Sequence, residues 1–128
     1  AYFEATEAMA KSGKFDIVGH LDLIKVFKFM PKKDVRLLAK DALQAIKKSN
    51  MVLEINTAGL RKPVGELYPS RELLEEAYAL DIPITFSSDA HAVDQIGFSY
   101  DLATTLAKEI GYKKAATFEG RDRELVIF

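Results

Sequence analysis

Hydrophobic and polar positions recur along the chain with two periods, one typical of helices and one typical of short buried strands. The clearest helical period places five apolar residues on one face: Val35, Leu38, Ala39, Ala42 and Ile46. Further helices are predicted over residues 2–11, 70–80 and 101–110, and short apolar strands over residues 15–19, 51–56, 84–87 and 115–118.

Residue types at the ends of these segments support the predicted limits. Asp34 and Ser70 are suited to cap helix N-termini, because a short polar side chain can accept a hydrogen bond from the first helical turn. Gly13 and Gly111 follow two of the helical patterns and are suited to end them.

The four longest segments outside the predicted helices and strands have at least ten residues each. Residues 20–31 predict a loop with a helical turn, and residues 119–128 read as a polar stretch followed by an apolar end. Two longer loops cover residues 57–69 and 88–98. Loops of this length in a compact domain often carry function.

The elements alternate between helix and strand along the chain. This order predicts an α/β fold in which the strands form a parallel sheet joined by crossover helices. The strands are short and mostly apolar, as expected when helices cover both faces of a sheet. The sequence contains no internal repeat and no domain linker.

Composition narrows the class of protein. A chain of 128 residues with 48% hydrophobic residues fits one globular domain or a part of one. The net charge of -1 argues against a strongly basic nucleic-acid-binding protein, and no apolar run is long enough to span a membrane. Cysteine is absent, which excludes disulfides and cysteine-based zinc sites. A cytoplasmic protein is the default prediction.

The polar residues of interest follow the predicted strands. His20 follows the first strand, Glu54 and Asn56 end the second, and Asp89 and His91 follow the third. Functional sites of α/β sheets and barrels lie at the carboxyl ends of the strands. If residues 89–91 are extended, the side chains of Asp89 and His91 project to one side and could hold a divalent metal.

Each of these residues also has a simpler interpretation. Asp89 could orient a core histidine without any metal, and a single histidine such as His20 is more often structural than functional. Glu54 and Asn56 share one face of their strand, where they could line a site or bond to the backbone of a loop.

A basic group near the first long loop could bind phosphate. Arg61, Lys62 and Arg71 lie in or just after this loop, and arginine binds phosphate through paired hydrogen bonds. The alternative to phosphate binding is that these basic residues belong to a solvated loop. Tyr68, in the same loop, could contact a ligand or simply pack. The sequence has no glycine-rich phosphate loop, no G-x-S-x-G motif and no cysteine nucleophile, which argues against common NTPases and against serine and cysteine hydrolases.

Four segments together resemble the histidinol-phosphatases of the PHP family. They are residues 16–22 (DIVGHLD), 53–63 (LEINTAGLRKP), 65–70 (GELYPS) and 88–91 (SDAH). The NTAGLR run followed by YPS is typical of the histidinol-phosphatase branch, whereas SDAH is typical of the wider PHP superfamily. The resemblance covers nearly the whole chain in the same order.

This resemblance implies the C-terminal portion of a distorted, seven-stranded, TIM-like barrel. Two or three divalent metal ions, which could be zinc, manganese or iron, would lie at its mouth. His20, Asp89 and His91 would be metal ligands, Arg61 would bind the substrate phosphate, and Glu54 and Asn56 would support the site. The implied partner is a small phosphorylated substrate, and the implied reaction is hydrolysis of L-histidinol phosphate in histidine biosynthesis.

The chain also departs from the family pattern. The family has a His-x-His motif and further metal-binding residues in its N-terminal half, whereas this chain has only two histidines. We therefore expect residues 1–128 to form a single partial PHP domain that is inactive alone and could self-associate. A PHP phosphoesterase of different substrate and a non-catalytic interaction module are the alternatives.

Overall fold

The computed structural model describes residues 1–27 and 31–128, and it has the alternating architecture that the hydrophobic pattern predicts. The helices are α1 (Tyr2–Lys11), α2 (Val35–Lys48), α3 (Arg71–Ala79) and α4 (Tyr100–Ile110). The strands are β1 (Ile17–Val18), β2 (Val52–Asn56), β3 (Ile84–Ser87), β4 (Lys114–Glu119) and β5 (Asp122–Ile127). The helical turn predicted within residues 20–31 is a 3-10 helix, Leu23–Phe27, and residues 28–30 of that prediction lie outside the described residues.

The first three strands form a parallel sheet in sequence order, which confirms the parallel α/β prediction for this part of the chain. Val18 pairs with Leu53, so His20 lies two residues beyond the last paired position of β1. Asn56 pairs with Ser87, so β2 and β3 end side by side. The carboxyl ends of all three strands therefore meet at one edge of the sheet.

The fourth predicted strand does not join this parallel sheet, and that part of the prediction is wrong. β4 pairs antiparallel with β5, which lies in the tail that the sequence pattern left irregular. Glu119 pairs with Asp122, which leaves Gly120 and Arg121 as a two-residue hairpin loop. Gly120 has a φ of +60°, and a glycine in so short a loop is a common hairpin signal.

The core lies around β2, whose Val52, Leu53 and Ile55 are fully buried. Burial on both faces explains why this strand reads as an apolar run. Two helix positions predicted to be buried are exposed, Leu38 of α2 at 41% and Leu102 of α4 at 47%, whereas Leu43 of α2 is buried. No helix of the described residues is long and apolar enough to cross a membrane.

The β4–β5 hairpin is held against the amino-terminal ends of the parallel strands. Arg121 donates two hydrogen bonds to the Asp16 carboxylate, with N–O distances of 2.7 and 3.1 Å. Arg123 donates to the backbone and side-chain oxygens of Asn50. Asp16 precedes β1 and Asn50 precedes β2, so these contacts leave the carboxyl edge of the sheet free. The hydrogen bonds from Arg121 also lower the pKa of Asp16.

Tyr112 connects the end of α4 to the start of β3, and this contact predicts a measurable loss of stability on substitution. Its buried hydroxyl donates a hydrogen bond of 2.8 Å to the Ile82 carbonyl. Tyr112→Phe leaves that carbonyl unpaired in the core, so we expect the free energy of unfolding to fall by about 1–2 kcal/mol in urea denaturation. Tyr78→Phe is the control, because Tyr78 is 45% exposed. Equal effects of the two substitutions would contradict this account.

Candidate active site

The polar residues singled out from the sequence lie at the carboxyl edge of the parallel sheet. His20 follows β1, Glu54 and Asn56 belong to β2, and Asp89 and His91 follow β3. His20 and Glu54 are partly buried, Asn56 is buried, and Asp89 and His91 are exposed. This is the edge at which α/β proteins place their sites.

The carboxylate of Glu54 connects the ends of all three strands. Its Oε2 accepts hydrogen bonds from the His20 backbone N–H at 2.6 Å and from the Asn56 side-chain amide at 3.2 Å. Its Oε1 accepts a hydrogen bond from the Ser87 hydroxyl. Hydrogen bonds to an ionised acceptor are about twice as strong as neutral ones. Glu54 therefore fixes the backbone at His20 relative to the end of β3.

The backbone before and at His20 passes close to this carboxylate. A Cβ atom at Gly19 would lie 3.4 Å from Glu54 Oε2, at the short limit of ordinary van der Waals contact. His20 itself has a φ of 26°, an uncommon value for a residue other than glycine. Asn56 is bound in turn, since its Oδ1 accepts a hydrogen bond of 2.8 Å from the Ala58 N–H. Glu54 and Asn56 thus both form hydrogen bonds with the backbone of neighbouring loops. This agrees with the simpler of their two interpretations, in which they bond to a loop and do not line a site.

Residues 89–91 are not extended. The argument that an extended backbone would project the Asp89 and His91 side chains to one side is therefore wrong. Asp89 has a φ of 47°, in the left-handed region, and its backbone carbonyl lies 2.8 Å from His91 Nδ1. A carbonyl oxygen only accepts, so the proton of this hydrogen bond belongs to Nδ1. In the neutral ring Nε2 then keeps its lone pair, which is the nitrogen available to a metal. His91 is exposed in this chain, unlike the core histidine of the alternative interpretation.

The donors of this chain suit a divalent metal by type but do not close a coordination shell. Within residues 1–27 and 31–128, no three His, Cys, Asp or Glu side chains form a group that could hold a metal ion. His20, Asp89 and His91 share the sheet edge without forming such a group. A protein metal site needs about three or four ligands, so further donors are required.

Arg61 binds the loop that carries Asp89 and His91. It ends the 3-10 helix Ala58–Arg61, and its Nη2 donates to the carbonyls of Ser88 at 2.8 Å and Asp89 at 3.1 Å. Its guanidinium carbon lies 5.3 Å from the centre of the Phe98 ring. Nη1 is buried and has no hydrogen-bond partner among the described residues. One end of the guanidinium thus holds the loop, and the other retains unused donors.

The other basic residues do not join Arg61. Lys62 is exposed, and Arg71 pairs with Glu75 at 2.9 Å and with Glu109 at 3.1 Å on the surface. Exposed ion pairs of this kind contribute little to stability. For Arg71 the structure thus supports the solvated interpretation, and the proposed phosphate contact rests on Arg61.

A buried ion pair beside this edge was missed by sequence reasoning. Asp22 and Lys25 are only 4% and 6% exposed, and Lys25 Nζ lies 3.0 Å from Asp22 Oδ2. Lys25 also donates to the Leu67 carbonyl at 2.7 Å, and Asp22 accepts a hydrogen bond of 2.9 Å from the Ser70 N–H. Burial raises the pKa of Asp22 against the opposing effect of Lys25. A lysine within an apolar stretch of the sequence was the available signal.

This ion pair fixes the start of α3 and the segment before it. Ser70 is the N-cap residue as predicted, but its hydroxyl makes no capping bond, and Asp22 accepts the Ser70 N–H instead. Tyr68 is only 2% exposed and packs against Lys25, whose Nζ lies 5.2 Å from the centre of its ring. Tyr68 packs in this chain, and its buried hydroxyl has no hydrogen-bond partner among the described residues, so both of its interpretations stay open. Asp22, Lys25 and Ser70 also line a cavity of about 1350 Å³ that His20, Asp89 and His91 do not line.

Gly59 explains part of the NTAGLR motif in steric terms. A Cβ atom at this position would lie 1.9 Å from the backbone oxygen of Glu66 and 3.1 Å from the Tyr68 ring. Backbone atoms cannot move aside as a flexible side chain can, so only glycine fits here. Tyr68 in turn exchanges two backbone hydrogen bonds with Asn56, which closes the loop onto β2.

Comparisons with known proteins agree on one family. The protein named "Probable histidinol-phosphatase" of Deinococcus radiodurans is 38% identical over 120 residues, which is 94% of this chain and 45% of that protein. The histidinol-phosphatase of Bacillus subtilis is 38% identical over 89 residues, covering 66% of this chain and 33% of the relative. No protein-family model matches the sequence.

A solved structure extends this agreement to the fold. The crystal structure of histidinol phosphate phosphatase from Lactococcus lactis, complexed with zinc, L-histidinol and phosphate, superposes with a TM-score of 0.78 at 26% identity. The superposition covers 96% of this chain and 49% of the Lactococcus chain. Over nearly its whole length the chain is thus similar to a part of the histidinol-phosphatases. It spans less than half the length of the histidinol-phosphatases that it matches here.

The steric role of Gly59 predicts a large effect of a small substitution. We expect Gly59→Ala to lower the free energy of unfolding by at least about 2 kcal/mol, because the added methyl group meets fixed backbone. Gly65→Ala is the matched control from the same loop. Its φ of +61° carries some strain, but an added Cβ meets no described atom within 4 Å. We expect a loss of about 1 kcal/mol there. Chemical denaturation of both variants measures the difference, and an equal or smaller loss for Gly59→Ala would contradict the steric explanation.

Proposed function

We propose that the protein containing this chain hydrolyses L-histidinol phosphate to L-histidinol and phosphate. The observation that carries the proposal is the superposition on the Lactococcus structure, which holds zinc, L-histidinol and phosphate. The identity to two curated histidinol-phosphatases supports the same substrate. The arrangement of polar residues at one sheet edge is consistent with a site of this kind.

The parallel sheet would be the C-terminal portion of a seven-stranded, TIM-like barrel. The family resemblance and the short coverage of the relatives support this view, with residues 1–128 as a single partial PHP domain. Such a barrel would bring the remaining metal ligands to the edge that carries His20 and His91. The protein would act in the cytoplasm on a small phosphorylated substrate, and self-association of the chain stays a prediction.

His20, Asp89 and His91 would contribute ligands to a divalent metal centre. Zinc is the ion of the Lactococcus structure, and manganese or iron would suit the same donor types. When bound, such metals supply an activated water and polarise the phosphoryl oxygens. The chain's own part is to present His91 Nε2, to fix the His20 backbone through Glu54, and to hold the loop after β3.

Arg61 would bind the substrate phosphate through the donors that it does not use in the loop. Nη1 has no partner among the described residues, so a phosphate oxygen would satisfy it once the side chain moves to open this buried atom to the substrate. A charged donor paired with an anionic oxygen contributes about 1.5–3 kcal/mol. A site that leaves this donor unpaired therefore favours an anionic substrate.

We expect Arg61→Ala to lower kcat/KM for histidinol phosphate at least ~10-fold in a protein that has both halves of the family fold. A suitable protein joins this chain to the part of the Deinococcus relative that it does not match. Lys62→Ala is the control, because Lys62 is exposed and adjacent. Phosphate release with added zinc or manganese measures the effect.

The same assay tests the substrate. p-Nitrophenyl phosphate serves as a generic phosphate ester beside histidinol phosphate, and the 128-residue chain alone is expected to be inactive. The proposed function would be wrong if the joined protein hydrolysed p-nitrophenyl phosphate with a kcat/KM equal to that for histidinol phosphate. Unchanged kinetics in Arg61→Ala would remove Arg61 from the proposed phosphate site.

A further inference from the structure

We propose that Arg61 is a positioning residue for His91, in addition to its proposed contact with phosphate. Its guanidinium holds the backbone carbonyl of Asp89, and that carbonyl holds the His91 ring as the Nδ1–H tautomer. The importance of this tautomer for metal binding rests on the proposed function. The contacts of Arg61 and His91 with the Asp89 carbonyl are independent of that function.

The first step is the binding of Arg61 to the loop after β3, residues 88–98. Nη2 bonds to Ser88 and Asp89 at the beginning of the loop, and the guanidinium lies over Phe98 near its end. A planar cation can bond along its edge and stack on an aromatic face at the same time. Arg61 therefore contacts both ends of the loop from the neighbouring strand end.

The second step concerns the backbone at Asp89. A φ of 47° is unfavourable for a residue other than glycine, so contacts elsewhere must maintain it. The Asp89 carbonyl receives two donors, Arg61 Nη2 at 3.1 Å and His91 Nδ1 at 2.8 Å. A carbonyl oxygen has two lone pairs, and these two bonds use both. Arg61 thus fixes the oxygen to which the imidazole bonds.

The third step is the state of the imidazole. His91 is also anchored at its backbone, where its N–H donates a hydrogen bond of 2.8 Å to the Gln95 side chain. Once Nδ1–H is bound to the carbonyl, the neutral ring presents an unprotonated Nε2. Histidine ligands of metals commonly have the other ring nitrogen fixed in this way. Loss of Arg61 would release the carbonyl and with it the preference for this tautomer.

The tautomer of His91 in the phosphate-free protein distinguishes the two roles of Arg61, positioning of the loop and binding of phosphate. A residue that only binds phosphate would leave the His91 ring unchanged in the absence of phosphate. A residue that positions the loop changes the ring in the free protein. His20 supplies an internal reference, because the chain has only two histidines and His20 is bound through its backbone to Glu54.

The experiment is ¹⁵N NMR of the imidazole nitrogens in the metal-free, phosphate-free chain. Spectra are taken at pH 8, above the ordinary histidine pKa of about 6.5. His91→Gln assigns the signals. We expect His91 to be mainly the Nδ1–H tautomer, and Arg61→Ala to lower the ratio of Nδ1–H to Nε2–H at least ~10-fold. Lys62→Ala should leave the ratio unchanged, and the His20 signals should not move in any of these variants.

Two further variants decide the matter if Arg61→Ala fails to fold. Arg61→Lys keeps the charge but lacks the planar fork, and Phe98→Leu removes the ring that the guanidinium contacts. Both should lower the ratio in the same direction by a smaller factor. A folded Arg61→Ala or Arg61→Lys variant with an unchanged ratio would overturn the proposal. Since no metal or substrate is present, this result is independent of phosphatase activity, whose absence would count only against the proposed function.

Discussion

The Glu54 carboxylate is the interaction on which the candidate active site depends. Parallel strands are joined by backbone hydrogen bonds only along their paired lengths, and β1 is paired over two residues. Beyond that pairing, the Glu54 carboxylate connects the strands, because it accepts hydrogen bonds from the His20 backbone N–H and from the Ser87 hydroxyl. One side chain in the central strand thus ties the segment after β1 to the last residue of β3.

The remaining contacts connect the segments that resemble the family. Glu54 joins residues 16–22 to residues 53–63, and Arg61 joins residues 53–63 to residues 88–91. Asp22 joins residues 16–22 to residues 65–70 by accepting the Ser70 N–H. The motifs are therefore not isolated ligand sets. Their polar residues also bind one another, and Gly59, which has no evident chemistry, belongs to them because a Cβ there would meet the Glu66 backbone.

Much of the fold follows from local sequence signals. Local signals located the four α-helices of the described residues, three by their apolar positions and the helix over residues 2–11 by its Ala, Glu and Met content. The Asp34 side chain caps α2 as predicted by accepting the Arg36 N–H. β5 was missed because its pattern is read correctly only once Gly120 is recognised as a hairpin residue. The conformation of Asp89 was missed because a left-handed residue other than glycine leaves no periodic signal, and its stabilising partner Arg61 is 28 residues away. Asp22 and Lys25 are near in sequence, but their burial depends on residues 66–70, which no local pattern could supply.

The most direct test of this account is amide hydrogen exchange at His20 in Glu54→Gln. Glutamine keeps the shape of the side chain but replaces one accepting oxygen with a donor group and removes the charge. The account predicts that protection of the His20 N–H falls at least ~10-fold, equivalent to about 1.4 kcal/mol, because its acceptor is weakened or lost. The Leu53 N–H, which bonds to the Pro83 carbonyl within the sheet, should keep its protection. Unchanged protection at His20 in a folded variant would contradict the claim that Glu54 holds the strand ends together.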